Sequence, residues 1–229
     1  MPPHHMNAPD QEIHVWIAAA GETDDFRRSC YPVLSAAEQE RARRFKFEKD
    51  ERLFTVAHAA LRSILARYLN ASPARIEFAI GPQGKPRLAA GESLRFNLSH
   101  SGELAVIAIA SRELGVDVEG IKENFEFEEV AEHFFTAREV AALRALPGAL
   151  QRRAFYQCWT SKEAFLKAKG TGLSGELDEV QIILDGEAVR VAANVPGWSL
   201  MPLDAGGGYA AAVVRAGEPA QVRLYRWPP

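Results

Sequence analysis

Apolar residues between positions 50 and 68 recur at the spacing of an α-helix with one buried face. They are Leu53, Val56, Ala57, Ala60, Leu61, Ile64 and Leu65. Short strand-like segments flank this helix, at residues 13–18 before it and at 94–98 and 104–110 after it. The first half of the chain is therefore predicted to be a helix packed on a small sheet.

The second half repeats this arrangement. Its helical segments cover residues 128–135, 137–145 and 150–169, where Thr136 is a predicted N-cap and Gly170 a stop. Alternating segments that predict an antiparallel sheet follow at 180–184, 188–192, 198–202, 209–214 and 222–225. We therefore predict an α+β fold of two similar halves, related by a pseudo-twofold, each with helices on a small, mostly antiparallel sheet. The expected halves are residues 1–112 and 113–229.

Composition limits the classes of function. The 229 residues are 47% hydrophobic and 25% charged, without an apolar run long enough to span a membrane. A net charge of -3 gives no overall attraction to nucleic acid. Cys30 and Cys158 look like buried free thiols, and the N-terminus lacks a signal-peptide pattern, so we expect a cytoplasmic protein.

The stretch GVDVEGI, residues 115–121, is a predicted strand that carries two acids. Side chains at i and i+2 point to the same side of a strand, so Asp117 and Glu119 share one face, about 7 Å apart along the chain. Val116 and Val118 share the opposite face. Either the acids lie on a solvated edge, or a cation binds over them.

A second group of charged residues lies in WTSKEAFLKAKGTGL, residues 159–173. Trp159, Glu163 and Lys167 follow each other at i, i+4 and i+8, which is one stripe of a helix. Glu163 and Lys167 form either an ordinary surface ion pair or part of a site. In the second case a third carboxylate beside Asp117 and Glu119 would complete an all-oxygen site for Mg²⁺.

Together these motifs resemble those of the 4'-phosphopantetheinyl transferases, of the two-half type typified by surfactin-synthetase activation. GVDVE and WTSKEAFLKAKGTGL match two motifs of that family, and GKPRL at 84–88 and FNLSHSGELAVIAIA at 96–110 match upstream segments. The resemblance runs from about residue 41 to residue 173.

The resemblance implies transfer of the phosphopantetheine arm of coenzyme A to a serine of an apo acyl or peptidyl carrier protein. The products would be the holo-carrier and adenosine 3',5'-bisphosphate. Asp117, Glu119 and Glu163 would hold Mg²⁺, with Mn²⁺ a possible substitute. Glu163, or a water on the metal, would be the base, and Lys167 would hold the pyrophosphate and support the leaving group.

The resemblance also implies contacts with coenzyme A. Ser99 and His100 would bind its phosphates, as would Lys162, and Lys85 would reach the nucleotide end. Arginines at 41, 43 and 44 resemble a segment that grips the 3'-phosphate, and Arg52 falls near a further contact. The motif leaves open which arginine, Arg41 and Arg44 included, takes that phosphate, and each of these side chains could instead be structural or solvated.

Relatives in this family meet the carrier protein after the GVDVE strand. By that resemblance Ile121, Phe125 and Phe127 would supply the apolar contact here. Because two similar halves can enclose the active site within one chain, we expect a monomer. Which carrier is natural stays open. Two alternatives to transfer are a non-catalytic module that binds coenzyme A and a Mg²⁺-dependent phosphohydrolase that uses water in place of serine.

Overall fold

A computed structural model describes residues 6, 11–21, 23–91, 93–171, 182–185, 190–193 and 195–228. Its helices are α1 (Asp24–Cys30), α2 (Ala36–Arg43), α3 (Glu48–Leu69), α4 (Phe127–Phe134), α5 (Ala137–Ala145) and α6 (Gly148–Lys169). Its strands are β1 (Glu12–Ala19), β2 (Phe78–Ile80), β3 (Pro86–Leu88), β4 (Arg95–Ser101), β5 (Leu104–Ala110), β6 (Leu114–Gly120), β7 (Ile182–Asp185), β8 (Arg190–Ala193), β9 (Trp198–Leu203), β10 (Tyr209–Ala216) and β11 (Gln221–Trp227). The α+β prediction is confirmed. The predicted residues 172–173, 180–181 and 188–189 lie outside the described part of the chain.

The N-terminal half has α3 packed on a four-stranded sheet of order β11-β1-β5-β4. The neighbours β1, β5 and β4 are antiparallel. The apolar stripe of α3 and the inner face of this sheet form one buried cluster, which includes Ile64, Leu65 and Ile107. The helix ends at Asn70 in the left-handed conformation, with φ 48°.

In the C-terminal half α6 packs on an antiparallel sheet of order β6-β10-β9. The predicted N-cap at Thr136 is confirmed, because its hydroxyl accepts from the backbone N–H of Glu139. The helix α6 ends at Gly170 with φ 73°, as predicted. None of the helices in the described ranges is long and apolar enough to cross a membrane.

One predicted pairing is wrong. The last strand was expected to extend the antiparallel sheet of the second half, but β11 crosses back and pairs in parallel with β1. Tyr225 stacks on Trp16 with ring centroids 4.6 Å apart, and Arg223 forms a bidentate pair with Glu12. An alternating pattern shows that a segment is a strand, but it does not identify the partner strand.

The two sheets meet at their edge strands, β4 in the first half and β6 in the second. Side chains bridge the edges, since Asn97 Oδ1 accepts from the backbone N–H of Val116 at 2.8 Å. The segments FNLSHS and GVDVE thus lie side by side at the junction of the halves.

Candidate active site

The strand β6 presents its two acids to a pocket, as the alternation predicts. Val116 and Val118 are fully buried in the apolar core on the other face. Asp117 is 3% exposed and Glu119 is partly exposed. The acids therefore do not lie on a freely solvated edge.

Gly115 sets the distance between β6 and α6. A Cβ atom at this position would lie 2.1 Å from the carbonyl oxygen of Ala164 and 2.3 Å from the backbone nitrogen of Ala168. These are backbone atoms that cannot turn aside. Only glycine allows this close approach, which brings Glu163 and Lys167 beside Asp117.

One pocket of about 630 Å³ collects most of the predicted chemical groups. Its lining consists of Leu98, Ser99, His100, Asp117, Glu119, Phe134, Trp159, Glu163 and Lys167. Strands from both halves and the helices α4 and α6 of the second half contribute. The structure thus brings together six residues that the motifs singled out in three separate segments.

Hydrogen bonds within the pocket join Lys167, Asp117 and Ser99. The Lys167 ammonium donates to Asp117 Oδ1 at 2.6 Å and to Ser99 Oγ at 2.9 Å. The Ser99 hydroxyl donates to the same Asp117 oxygen at 2.7 Å. Within the described part of the chain, Asp117 Oδ2 and Glu163 Oε1 are buried without a hydrogen-bond partner.

The electrostatics of the three acids follow from this crowding. Burial raises the pKa of Asp117, against the opposing effects of Lys167 and Ser99. Burial also raises the pKa of Glu163, and the negative charges of Asp117 and Glu119 raise it further. The pKa of Glu119 is raised mainly by burial and is opposed by a hydrogen bond from Ser101.

The donor set fits a hard divalent cation. Three carboxylates line one pocket, and two of their buried oxygens lack a donor. Among the described residues, no three His, Cys, Asp or Glu side chains are already drawn together as a formed metal site. A cation would therefore satisfy oxygens that the protein leaves unpaired.

His100 lines this pocket from the N-terminal half, and Arg41 lies within electrostatic reach of it. Desolvation lowers the pKa of His100, and His58, Lys167 and Arg41 are close enough to lower it further. Arg41 is exposed and lies over the Phe54 ring, 5.1 Å from its centroid. No ion pair of Arg41 is found in the described ranges, so its guanidinium is available to an anion.

The other three arginines named from the sequence are paired with acids. Arg43 pairs with Glu40 at 3.6 Å. Arg44, the residue after α2, also donates to Glu40, and Arg52 donates to Asp24 and Glu48. None of the three lines the pocket. The structure therefore distinguishes Arg41 from Arg44, which the sequence could not do.

Lys85 is engaged by the protein itself. Its ammonium donates to the carbonyl oxygens of Leu114 and Ala168, at 2.9 and 3.1 Å, and to Glu113 at 3.2 Å. An ammonium has three N–H donors, and these contacts use all of them. The nucleotide contact of Lys85 stays a prediction; in the structure this side chain ties the first half to the end of α6.

The predicted phosphate contact of Lys162 needs correction. Its side chain is fully buried and pairs with Glu139 at 2.9 Å, where both groups are almost inaccessible to water. Lys162 and Lys167 are five residues apart on α6, so they project in different directions. Lys162 points into the interior, away from any phosphate in the pocket.

One of the three predicted carrier contacts is also wrong. Phe127 is 4% exposed and packs on Phe155, with ring centroids 5.3 Å apart, so it belongs to the core. Ile121 and Phe125 are only partly buried. Phe125 lines a smaller cavity of about 160 Å³ that shares Glu119 and Trp159 with the main pocket.

Sequence reasoning missed two residues at this site. Phe134 is 37% exposed and makes an edge contact with Trp159 on the pocket wall. Ser101 donates to Glu119 Oε2 at 2.7 Å. Its position two residues after Ser99, on the same face of one strand, was the available signal.

Comparisons with known proteins match both halves. Residues 113–214 match a family model described as the 4'-phosphopantetheinyl transferase superfamily, and residues 22–112 match one described as 4'-phosphopantetheinyl transferase, N-terminal. The chain is 34% identical over 229 residues to the 4'-phosphopantetheinyl transferase HetI of Nostoc sp., covering 98% of this chain and 96% of that protein. It is 33% identical over 178 residues to a 4'-phosphopantetheinyl transferase of Bacillus subtilis, covering 78% of this chain and 76% of that protein. It is 32% identical over 163 residues to the Bacillus subtilis enzyme Sfp, covering 71% of each chain.

Proposed function

Because this chain belongs to the 4'-phosphopantetheinyl transferase family, we propose that the pocket between its halves is where the transfer takes place. The enzyme moves the 4'-phosphopantetheine group from coenzyme A to a serine of an apo carrier protein and leaves adenosine 3',5'-bisphosphate. The observation that carries the placement is the convergence of Asp117, Glu119, Glu163 and Lys167 on one pocket, with two buried carboxylate oxygens unpaired.

Asp117, Glu119 and Glu163 are the residues that would hold Mg²⁺, or Mn²⁺ in its place. A bound divalent cation neutralises the charge of the pyrophosphate. Mg²⁺ commonly keeps several waters, so not every one of the three carboxylates needs to be a direct ligand. The raised pKa values of these acids mean that protons compete with the cation for them.

Glu163 is the base for the carrier serine. Its carboxylate takes the hydroxyl proton as the serine oxygen bonds to the β-phosphorus, and the bond from that phosphorus to the bridging oxygen breaks. Glu163 Oε1 is buried without a donor among the described residues, and the carboxylate has a second oxygen, so one oxygen can face the cation while the other takes the proton.

Lys167 stabilises the charge that develops on the departing phosphate. Its side chain is 30% exposed, and its ammonium already reaches the pocket, where it donates to Asp117 and Ser99. A cation held this way needs little reorganisation when charge builds on a nearby oxygen.

Ser99, His100 and Arg41 are the proposed contacts for the phosphates of coenzyme A. The first two line the pocket, and Arg41 lies within electrostatic reach of His100. Arg41 is the best candidate for the 3'-phosphate because Arg44 and Arg52 already pair with acids.

The carrier protein is proposed to meet the rim formed by Ile121 and Phe125. These partly buried apolar side chains follow β6 directly, beside Glu119. We also propose a cytoplasmic monomer with halves at residues 1–112 and 113–229, in which the last strand of the second half pairs into the sheet of the first. Two buried free cysteines fit a reducing compartment.

The test is incubation of the protein with an apo carrier, coenzyme A and Mg²⁺, followed by intact-mass analysis of the carrier. The carrier should gain one phosphopantetheine group with wild type, and none with Asp117→Ala or in excess chelator. Coenzyme A cleavage without a carrier would point to a hydrolase. Full transfer by Asp117→Ala would show that the pocket is not the active site.

A further inference from the structure

Two serines of β4 are paired with the two acids of β6. Ser99 donates to Asp117 and Ser101 donates to Glu119, each at 2.7 Å. Donors and acceptors are both spaced by two residues on their strands. The first half of the molecule therefore contacts both acids of the second half, one hydroxyl to each carboxylate.

The direction of the Ser101 hydroxyl is fixed by a second bond. Ser101 Oγ accepts from the backbone N–H of Gly120 at 3.1 Å, so its own hydrogen is left to point at Glu119 Oε2. The bond is thus a donation from serine to carboxylate. It specifies which oxygen of Glu119 is engaged.

The turn after Ser101 is held in place from the second half. Gly102 takes a left-handed conformation with φ 61°, and a Cβ there would lie 3.0 Å from the Tyr209 hydroxyl. That hydroxyl accepts from the backbone N–H of Glu103 at 3.1 Å. Ser101 is therefore fixed relative to β6 in two ways, through its own bond with the Gly120 N–H and through the contact of the following turn with Tyr209.

We infer that Ser101 is a positioning residue that orients the Glu119 carboxylate toward the pocket for a divalent cation. A glutamate side chain loses rotamer freedom when it is held in one conformation, and a partner that already holds it lessens that loss at the moment of binding. The inference rests on the proposed function of the pocket, and it assigns to Ser101 a role that the motifs do not suggest.

The competing explanation is that Ser101 only supports the backbone of β6 through Gly120. The two explanations differ in what happens to cation affinity. Loss of a hydrogen bond to a ligating carboxylate typically lowers metal affinity on the order of 10–100-fold. Loss of a backbone support lowers stability without a specific effect on the cation.

The experiment is Mn²⁺ titration of the full chain in the presence of coenzyme A, by calorimetry or electron paramagnetic resonance, with thermal unfolding measured alongside. Ser101→Ala should weaken Mn²⁺ binding on the order of 10–100-fold. Ser101→Thr keeps the hydroxyl and should bind near the wild-type level. The control is Ser199→Ala, which removes a buried hydroxyl that donates to the Gly217 carbonyl within the second half. It should leave the Mn²⁺ affinity unchanged.

A double-variant cycle shows whether Ser101 acts through Glu119. In a Glu119→Ala background, Ser101→Ala should weaken Mn²⁺ binding no further. Wild-type affinity in Ser101→Ala, equal losses in the Thr and Ala variants, or an undiminished loss in the Glu119→Ala background would each overturn the inference. Transfer to an apo carrier is measured on the same samples. An inactive wild type would contradict the proposed function, whereas an active wild type with an unaffected Ser101→Ala contradicts only this inference.

Discussion

The helix α6 carries two lysines, Lys162 and Lys167, that each pair with a carboxylate on another element. The two pairs differ in how far they are exposed to solvent. Lys162 pairs with Glu139 at 2.9 Å, and their side chains are 0% and 2% exposed. Lys167 pairs with Asp117 at 2.6 Å, and their side chains are 30% and 4% exposed. Both pairs join α6 to another element of the fold.

The two carboxylates also differ in whether one of their oxygens remains without a hydrogen-bond partner. One oxygen of Glu139 accepts from Lys162, and the other accepts from the N–H and hydroxyl of Thr136, so the group closes a helix cap. Asp117 keeps one buried oxygen without a partner in the described part of the chain. The second pair therefore belongs to a site that can bind a cation, whereas the first belongs to the scaffold.

The largest effect is expected from removing the charge of Glu163. Glu163→Gln keeps the size of the side chain but cannot take the serine proton, so kcat should fall by roughly 10²–10⁴ while coenzyme A still binds. Excess chelator should abolish transfer, and Mg²⁺ or Mn²⁺ should restore it. Steady-state kinetics with an apo carrier measure both effects, and an unchanged kcat would remove Glu163 from the chemistry.

Breaking the interior pair should affect stability instead. Lys162→Met leaves Glu139 buried without its counter-charge, which typically costs about 3–5 kcal/mol. For a chain of this size that corresponds to a Tm lower by roughly 10 °C. Adding Glu139→Gln should restore part of the loss. A Tm equal to wild type would mean that the interior pair does not support the fold.

A smaller effect on substrate binding should separate Arg41 from Arg44. Arg41→Ala should raise KM for coenzyme A about tenfold, as expected for one lost hydrogen bond to a charged group, while Arg44→Ala serves as the matched control. The increase in KM caused by Arg41→Ala should be smaller with 3'-dephospho-coenzyme A as the substrate. Equal increases in KM with both substrates would show that Arg41 does not contact the 3'-phosphate.

The smallest expected effect is on the pH dependence of stability without metal. A carboxyl whose pKa is raised on folding destabilises the folded state where it is ionised, and this cost disappears as pH falls through the raised pKa. In chelator at neutral pH, Glu163→Gln should therefore raise Tm by a few degrees at most. The gain should vanish in acid. A lower Tm for Glu163→Gln at neutral pH would contradict the claim that the ionised Glu163 destabilises the folded protein in the absence of metal.

The sequence predicted the pocket better than it predicted the supporting contacts. Asp117, Glu119, Glu163 and Lys167 were found because helix and strand periodicity places them on shared faces within two motifs. The interior position of Lys162 could not be predicted, because its partner Glu139 lies on another helix, 23 positions earlier in the chain.

The other contacts that the sequence did not predict have the same origin. Lys85 sits in a turn whose sequence does not reveal that the carbonyls of Leu114 and Ala168 lie within its reach. Phe127 and Phe125 are two residues apart, and only the tertiary packing decides which one faces the core. The return of β11 to β1 likewise depends on contacts distant in sequence.

The most direct test of the account compares Lys167→Ala with Lys162→Met, measuring kcat and Tm for both with Mg²⁺ present. We predict that Lys167→Ala keeps a near-wild-type Tm and loses kcat by at least about 100-fold, with little change in KM for coenzyme A. Lys162→Met should instead have a lower Tm than wild type. A Lys167→Ala variant with wild-type kcat and a lowered Tm would contradict the assignment of the two pairs.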